Sequence, residues 1–449
     1  IQGEINRLSA KPAGGTSAPA EATVTSGTIA PQAGKPSEAE TELKSKQQDI
    51  GKATGGYETT SQDPLAAPRV NNEPLDPRYP GYFRLPGTST FLRIGGYFKT
   101  DFIYDLKPAG DSERFIPASI PIPTPVTVNN TTVSIRPTRL NLDFLIPTEQ
   151  FGKVRFFIEG DFFGSSSTTP RLRHAYAQVK NLLIGQTFSN FMDPDSGPDQ
   201  LDFQGPNAQI SIRNPQIRYS VKLRPKTTFS LAVEKPSSDI AFKVADFSAQ
   251  PNSPSPDGTL QLRREMERGH LQLAALFRSV SGFLNTGGAT SGPTDSVFGW
   301  GFNFTGSEKI VGKDTAVFQV EYGNGIERYV QDTSGLGEDA ALKSVNDPRL
   351  KALPVFGSYG AYQHFWTSKL RSSLIYGFAQ IQNTEFQGGS LFHQSNYSAA
   401  NLIWNAIGSL NLGAEFLYGW RVNKDGSSAN APRIMLSAKY NFVKGSSSK

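Results

Sequence analysis

The residues most suited to chemistry in this sequence are arginines and aspartates that lie close together along the chain. The stretch 184–224 runs from a short apolar segment through an acidic loop, 189–206, into a segment rich in arginine. The loop contains four aspartates and two flanking aromatic residues: Phe191, Asp193, Asp195, Asp199, Asp202 and Phe203. Because guanidinium groups bind carboxylates and phosphates through paired hydrogen bonds, this pattern predicts recognition of small anions.

Catalytic and metal-binding patterns have little support. The absence of cysteine excludes disulfides, Cys-ligated zinc and thiol catalysis. The four histidines are His174, His270, His364 and His393. They lack the spacing of metal ligands. Glu159 and Asp161 share one face of a strand and could mimic an acid/base pair, but we expect them to be salt-bridge partners. We therefore predict no catalytic residue, metal or cofactor. A cation site built from the loop aspartates stays open as an alternative, although their spacing does not match an EF-hand.

The composition favours an all-β protein. The chain has 449 residues, a net charge of +5, 30 Phe, 15 Tyr, 43 Gly and 31 Pro, and aromatic residues with many turn formers are typical of strands and turns. Mean hydropathy is −0.38. The sequence contains no run of 18 apolar residues, so it predicts no transmembrane helix. Barrel strands need no such run because their two faces alternate. No basic run or nucleic-acid-binding motif is present, so we expect no nucleic-acid partner.

The chain divides into three predicted regions. Residues 1–90 form an N-terminal extension in which Ile1, Ile5 and Leu8 have the spacing of one coiled-coil heptad. The rest of this extension is rich in Pro, Ala, Gly and Ser, which predicts a mostly disordered linker. A barrel is expected over 91–442, followed by a tail, 443–449. No signal peptide is recognisable, so we expect either a mature envelope protein or a cytosolic one.

From Phe91 onwards, apolar and polar residues alternate in runs separated by turn-forming residues. The sixteen runs are 91–106, 131–146, 152–163, 169–180, 181–188, 207–224, 226–235, 258–268, 269–281, 295–305, 313–323, 354–366, 369–381, 395–406, 409–421 and 431–442. Short and long connections alternate, which is typical of an up-and-down membrane barrel and is not required of a soluble β-sandwich. The sequence therefore predicts a sixteen-stranded antiparallel transmembrane β-barrel.

Strand alternation assigns many charged residues to the lumen, because a charge facing lipid costs about 2–4 kcal/mol near the bilayer midplane. The basic residues assigned to the lumen are Arg93, Lys99, Arg136, Arg139, Arg155, Arg171, Arg173, Arg213, Arg218, Lys222 and Arg263. The acidic ones are Asp101, Asp143, Glu159, Asp161 and Glu265. The excess of basic groups favours anions, although cross-strand ion pairs are expected to occupy some of the arginines.

The run 207–224 requires a local irregularity. It contains Asn214–Pro215, and proline in a β-ladder needs an edge or a bulge. A bulge at this point directs Ile210 and Ile212 to the lipid, and Arg213 and Arg218 to the lumen. We predict one bulged strand, because splitting the run would give an odd number of strands.

The acidic loop is the third connection on the long-connection side, and the interior of a membrane barrel can be narrowed or plugged by its loops. We therefore predict that Asp193–Asp202 lies inside the barrel opposite the arginines. There it would narrow the pore and create a transverse electric field. The alternative is a surface loop, the usual location of acidic segments rich in Pro and Gly.

Several segments resemble a known family of outer-membrane proteins. These segments are RLNLDF (139–144), RLRHAYAQV (171–179), GQTFSNFMDP (185–194), LDFQGPN (201–207), NPQIRYS (214–220) and GWGFNFTG (299–306). In order and spacing they are similar to the DcaP-like porins, a family associated with dicarboxylate uptake. The last strand also resembles the C-terminal recognition signal of outer-membrane barrels, except that seven residues follow Phe442.

The resemblance implies a homotrimeric, sixteen-stranded channel in a Gram-negative outer membrane. It implies contacts with lipid and lipopolysaccharide, a periplasmic N-terminus with a coiled coil before and around Ile1–Leu8, and passive uptake of small organic anions such as dicarboxylates. The residues that match the family's constriction are Arg155, Arg171, Arg173, Arg213 and Arg218, with the loop around Asp193 and Asp202. Two alternatives stay open: a barrel enzyme, and a plugged adhesive barrel that binds through its long loops 236–257 and 324–353.

Overall fold

The computed structural model describes residues 81–125, 129–165, 167–244, 246–286 and 292–442. The predicted coiled-coil remnant, most of the linker and the tail 443–449 lie outside the described residues.

Sixteen antiparallel strands form a closed barrel, as the sequence predicted. They are β1 (Phe91–Asp105), β2 (Asn130–Ser134 and Arg139–Thr148), β3 (Gly152–Asp161), β4 (Arg171–Val179), β5 (Leu182–Phe188), β6 (Arg213–Arg224), β7 (Thr227–Glu234), β8 (Asp257–Glu265), β9 (Gly269–Thr286), β10 (Thr294–Lys309), β11 (Thr315–Asn324), β12 (Pro354–Phe365), β13 (Leu370–Ile381), β14 (Phe392–Ile407), β15 (Leu410–Asn423) and β16 (Ser428–Asn441). Each strand pairs with the next, and β16 closes the barrel against β1.

Shorter strands and 3-10 helices lie in the connections and in the segment that precedes the barrel. The short strands are Phe83–Arg84, Lys243–Val244, Phe247–Asn252, Ala340–Leu342 and Leu350–Ala352, and the 3-10 helices are Pro117–Ser119, Pro194–Ser196 and Glu327–Tyr329. Among the described residues, no helix is both long and apolar enough to span a membrane.

The two ends of the barrel differ in the length of their connections. One end carries short connections, of which Thr148–Gly152 and Ile407–Leu410 are examples, and the other carries the long ones. Because the number of strands is even, β1 begins and β16 finishes at the end with the short connections. We call this end the short-connection mouth.

The strands have one apolar and one polar face. In β10, Phe298, Phe302 and Phe304 are exposed on the outside, whereas Asn303 and Thr305 are completely buried inside the barrel. This alternation of period two is what a membrane barrel requires, because lipid contacts one face and the hydrated interior contacts the other.

Strand β6 differs from the prediction at its start. It begins at Arg213 rather than at residue 207. Ile210 and Ile212 were predicted to face lipid, but they are buried inside the barrel, where Ile210 bridges to Val330. The prediction was wrong because an apolar alternation at a strand end has the same pattern as a loop that packs its apolar residues inward.

The predicted bulge at Asn214–Pro215 is also absent. Pro215 pairs with Gln186 in an unbroken register with β5. The ladder to β7 begins one residue later, at Gln216, so the missing N–H of Pro215 costs no ladder hydrogen bond. The register shifts instead between Lys222 and Arg224.

Candidate functional site

The acidic loop, residues 189–206, belongs to the connection 189–212 between β5 and β6. It lies inside the barrel and binds three adjacent strands through Asp193. The carboxylate accepts hydrogen bonds from Arg263 Nη1 of β8 at 3.0 Å and from Thr305 Oγ1 of β10 at 2.6 Å. It also lies 2.7 Å from His270 Nε2 of β9. Burial alone would raise the pKa of Asp193, but His270 and Arg263 hold it below its usual range. The loop is therefore fixed to this wall by charge-assisted hydrogen bonds.

The same loop is held at the opposite side of the lumen by Glu415 of β15. Glu415 Oε2 accepts from the backbone N–H groups of Leu201 at 2.9 Å and Asp202 at 2.7 Å. Lys99 Nζ of β1 donates to the carbonyl oxygen of Leu201 at 2.6 Å. The loop thus crosses the interior from β8–β10 to the strands beside the barrel closure.

A tight turn shapes the far end of the loop. Asp202 accepts from the N–H of Gly205 at 2.9 Å and from the N–H of Phe115 at 3.2 Å. Gly205 has a φ of +96°, and a Cβ there would lie 2.7 Å from Gln200 Nε2, so this position favours glycine. Burial raises the pKa of Asp202 to about 6.

Two further connections fold into the barrel, and neither inward position was predicted. Residues 325–353 contribute Asp332, which accepts from the N–H of Ala118 at 3.0 Å and from Ser395 Oγ at 2.7 Å. Ala118 belongs to the connection between β1 and β2. The apolar residues of both connections, such as Ile116 and Val330, pack in one core with those of the acidic loop. The apolar residues in these long connections were the sequence signal that could have predicted their inward position.

Arginines of β4 surround the carboxylates of β3. Asp161 Oδ2 accepts from Arg171 Nη2 at 2.6 Å and Arg173 Nη1 at 2.9 Å, and Glu159 accepts from Arg173 Nε at 3.0 Å. Glu159 and Asp161 therefore each form ion pairs with arginines of β4, as expected.

The aromatic residues of the loop pack on this basic wall. Phe203 stacks on Phe163, with ring centroids 4.3 Å apart. The guanidinium carbons of Arg139 and Arg173 lie 5.4 Å and 5.8 Å from the centroid of the Phe203 ring. Phe203 thus covers these two arginines, which are 1% and 0% exposed. Phe191 has the other position, in the apolar core against Tyr329.

A second basic group lies nearer the short-connection mouth. Arg155 of β3 donates two hydrogen bonds to Asp143 of β2, at 2.8 Å and 2.9 Å, and Arg93 Nη2 donates to the same carboxylate at 2.8 Å. Arg155 and Glu159 are four residues apart on β3, so the two basic groups are separated by roughly 13 Å along the wall.

The remaining predicted wall residues have different environments. Arg218 is buried, and its Nε donates to Gln216 Oε1 at 2.8 Å. Arg213 is the first residue of β6, and its guanidinium carbon lies 5.4 Å from the centroid of the buried Phe188 ring, inside the barrel. Lys222 is exposed near the turn that follows β6.

Arg263 belongs to the acidic side rather than to the basic wall. Besides Asp193, it forms ion pairs with Asp195 at 2.9 Å and Glu265 at 2.7 Å. Three carboxylates therefore surround one guanidinium, and the role of Arg263 as a pore-lining anion site stays a prediction. Its geometry is that of an anchor for the loop.

Asp199 is bound to the wall as well. It pairs with Arg371 of β13 and accepts from Gln363 Nε2 of β12 at 2.7 Å. Across the described part of the chain, no cluster of potential ligands is suited to a metal ion. Asp193, Asp195 and Asp199 attach the loop to the barrel wall, whereas Asp202 bonds within the loop and to the connection between β1 and β2.

The basic wall retains an excess of positive charge. The charged residues of β2–β6 between the two mouths comprise six arginines, Arg139, Arg155, Arg171, Arg173, Arg213 and Arg218, and three carboxylates, Asp143, Glu159 and Asp161. The side chains of Arg155 and Arg171 remain 14% and 12% exposed. These two guanidinium groups are therefore only partly covered.

A cleft of about 230 Å³ lies on the other side of the loop. Asp195, Asp199 and Arg263 line it, with Glu267 and Lys309 near the short-connection mouth. The carboxylates of its lining are at least as numerous as its arginines and lysines, so the cleft lacks the positive excess of the basic wall.

The comparison with protein families decides the identity of this barrel. The family model of the DcaP outer membrane protein matches residues 85–442. The chain belongs to the DcaP outer membrane protein family. This assignment agrees with the family resemblance found in the sequence, and it places the chain among outer-membrane barrels of porin type.

Solved structures support the DcaP fold. The outer membrane channel DcaP of Acinetobacter baumannii matches with a TM-score of 0.69 and 24% identity, over 80% of this chain and 99% of that one. An anion-selective porin from Comamonas acidovorans matches with a TM-score of 0.52 and 10% identity, over 79% and 100%. The trimer form of OmpT, an outer membrane protein of Vibrio cholerae, matches with a TM-score of 0.50 and 11% identity, over 79% and 100%. A comparison with curated proteins found none that matches.

Proposed function

We propose that this DcaP-family barrel is a passive outer-membrane channel for small organic anions such as dicarboxylates. The observation that carries the proposal is the excess of arginines on β2–β6, where the side chains of Arg155 and Arg171 remain partly exposed, at 14% and 12%. Guanidinium groups on a pore wall attract anions and repel cations.

The arrangement also favours release of the solute. Asp161 partly neutralises Arg171, and Asp143 partly neutralises Arg155. A carboxylate solute would compete with these aspartates and bind weakly at each group. Because conduction requires binding that is weak and repeated at several sites, two moderate basic groups suit passage better than one strong site.

The electrical test is a planar-bilayer measurement with a KCl gradient. An anion-selective channel gives a reversal potential between zero and the chloride equilibrium potential. Addition of a dicarboxylate such as succinate should reduce the chloride current. Cation selectivity would refute the anion preference while leaving the channel intact.

A plugged barrel is the second candidate, because three connections fill much of the interior and Phe203 covers Arg139 and Arg173. Such a barrel would carry no open-channel current, and it would bind partners through its outer surface.

The enzyme alternative is tested separately with a hydrolase assay on intact vesicles, where the channel hypothesis predicts no turnover.

We further propose that the barrel functions as a homotrimer whose N-terminus is periplasmic, in contact with lipid and lipopolysaccharide. The apolar outer face supports the lipid contact, and a solved neighbour of similar fold exists in a trimer form. The mass of the native complex measures the oligomeric state. Protease access to the N-terminal extension in intact cells compared with opened cells tests the orientation.

A further inference from the structure

The segment that precedes the barrel turns back over the short-connection mouth. Phe83 and Arg84 pair with Leu92 and Phe91 of β1. The turn between them is closed by a hydrogen bond from the N–H of Leu85 to the carbonyl oxygen of Thr90 at 2.9 Å. The backbone at residue 82 is therefore held beside the mouth rather than extended away from it.

This hairpin directs Tyr82 and Phe83 to opposite sides. Phe83 is 49% exposed, whereas Tyr82 is half-buried. The guanidinium carbon of Arg93 lies 4.7 Å from the centroid of the Tyr82 ring, within the range of a cation–π contact. Tyr82 also forms a side-chain hydrogen bond with Asp143.

Tyr82 therefore completes the second basic group. Asp143 accepts from Arg93 and Arg155, and the tyrosine ring lies against Arg93 on the side of the mouth. Burial, together with the charge of Asp143, raises the pKa of Tyr82, so its hydroxyl keeps its proton and donates to the carboxylate. With the ring in place, the side chain of Arg93 is only 8% exposed.

We propose that Tyr82 is a specificity-determining residue of the channel, whose ring restricts the short-connection mouth and controls the access of anions to Arg93 and Arg155. The proposal rests on the proposed channel function. It assigns part of the pore to the N-terminal extension rather than to the barrel. An anion that leaves through this mouth must pass the ring or displace it.

The test compares single-channel currents of four forms of the full-length chain. Tyr82→Ala should increase the conductance and shift the reversal potential in a KCl gradient towards the chloride equilibrium potential, because the ring no longer covers Arg93 or narrows the path to Arg155. Tyr82→Phe keeps the ring and should retain the conductance of the wild type. Phe83→Ala is the matched control on the opposite side of the hairpin and should also behave like the wild type.

The outcomes separate the two proposals. A conducting wild type with unchanged conductance and selectivity in Tyr82→Ala would overturn the role of Tyr82 while leaving the channel function in place. A wild type that never conducts would overturn the channel function and this inference with it.

The absence of cysteine in the chain permits a second measurement. In Tyr82→Cys, a negatively charged thiol reagent should change the current, because the introduced thiol lies in the path of the solute. In Phe83→Cys the same reagent should leave the current unchanged. Equal responses of the two variants would contradict the proposal. The shift in electrophoretic mobility on heating verifies that each variant has a folded barrel.

Discussion

Individual arginines of the basic wall differ in what they can do. Arg173 and Arg139 are covered by Phe203, whereas Arg171 and Arg155 remain accessible at the two ends of the wall. Strand parity predicted that these residues face the lumen, because alternation depends only on local sequence. It did not predict which of them a loop would cover, since that depends on residues far away in the chain.

Arg171→Gln should reduce the anion preference, because it removes one accessible positive charge and leaves Asp161 less neutralised. We expect a reversal potential closer to zero in a KCl gradient. Arg349→Gln makes the same chemical change in an exposed ion pair with Asp347 and should leave selectivity unchanged. Identical shifts in both variants would point to a general surface-charge effect.

Phe203→Ala should increase the single-channel conductance by uncovering Arg173 and Arg139. Truncation of a buried phenylalanine costs about 3–5 kcal/mol. Here we expect the cost to fall on loop docking, because the strand ladders do not involve Phe203. Phe151→Ala, at an exposed phenylalanine in a short connection, is the control. A conductance equal to that of the wild type would show that Phe203 does not limit the pore.

At the scale of elements, the strands were predictable and the interior connections were not. All sixteen strands follow from alternation and turn residues, and the inward position of the acidic loop agrees with its place among the connections. Docking of the other two connections depends on partners such as Asp332 and Ala118, which no periodic signal encodes. The bulge prediction failed because the cost of Pro215 depends on where the ladder to β7 begins.

Docking of the connection 325–353 inside the barrel should weaken as the pH rises. Burial raises the pKa of Asp332 to about 7, with a further contribution from Asp202 and an opposing one from Arg421. The docked state therefore retains a proton that an undocked loop releases above its ordinary pKa near 3.8. Docking is strongest below about pH 4 and loses at most about 1.4 kcal/mol per pH unit up to about pH 7.

Current fluctuations of the open channel measure this effect. We expect quieter currents at pH 5 than at pH 8. In Asp332→Asn the difference should become smaller, because the amide oxygen still accepts from Ala118 but does not titrate. A pH dependence of the same size in the variant would locate the responsible group elsewhere.

At the scale of the whole molecule, exposed apolar side chains form the lipid-facing surface of the barrel near the middle of its strands. Phe302 lies midway along β10 and is 48% exposed on this surface. Phe302→Arg should destabilise the barrel by about 2–4 kcal/mol in a lipid bilayer, whereas Ile310→Arg, in a short connection, should cost about 0–1 kcal/mol. Unfolding by urea in vesicles measures both, and equal costs would argue against the assigned membrane position.

The attachment of the acidic loop to Glu415 has a consequence for the order of assembly. Leu201 and Asp202 are more than 200 positions away from Glu415 in the chain. The loop cannot reach its final position until β15, one of the last strands, has been added. A partly assembled barrel would therefore contain a wider pore than the finished protein. Rapid insertion of the final strands would shorten the time during which solutes can leak through it.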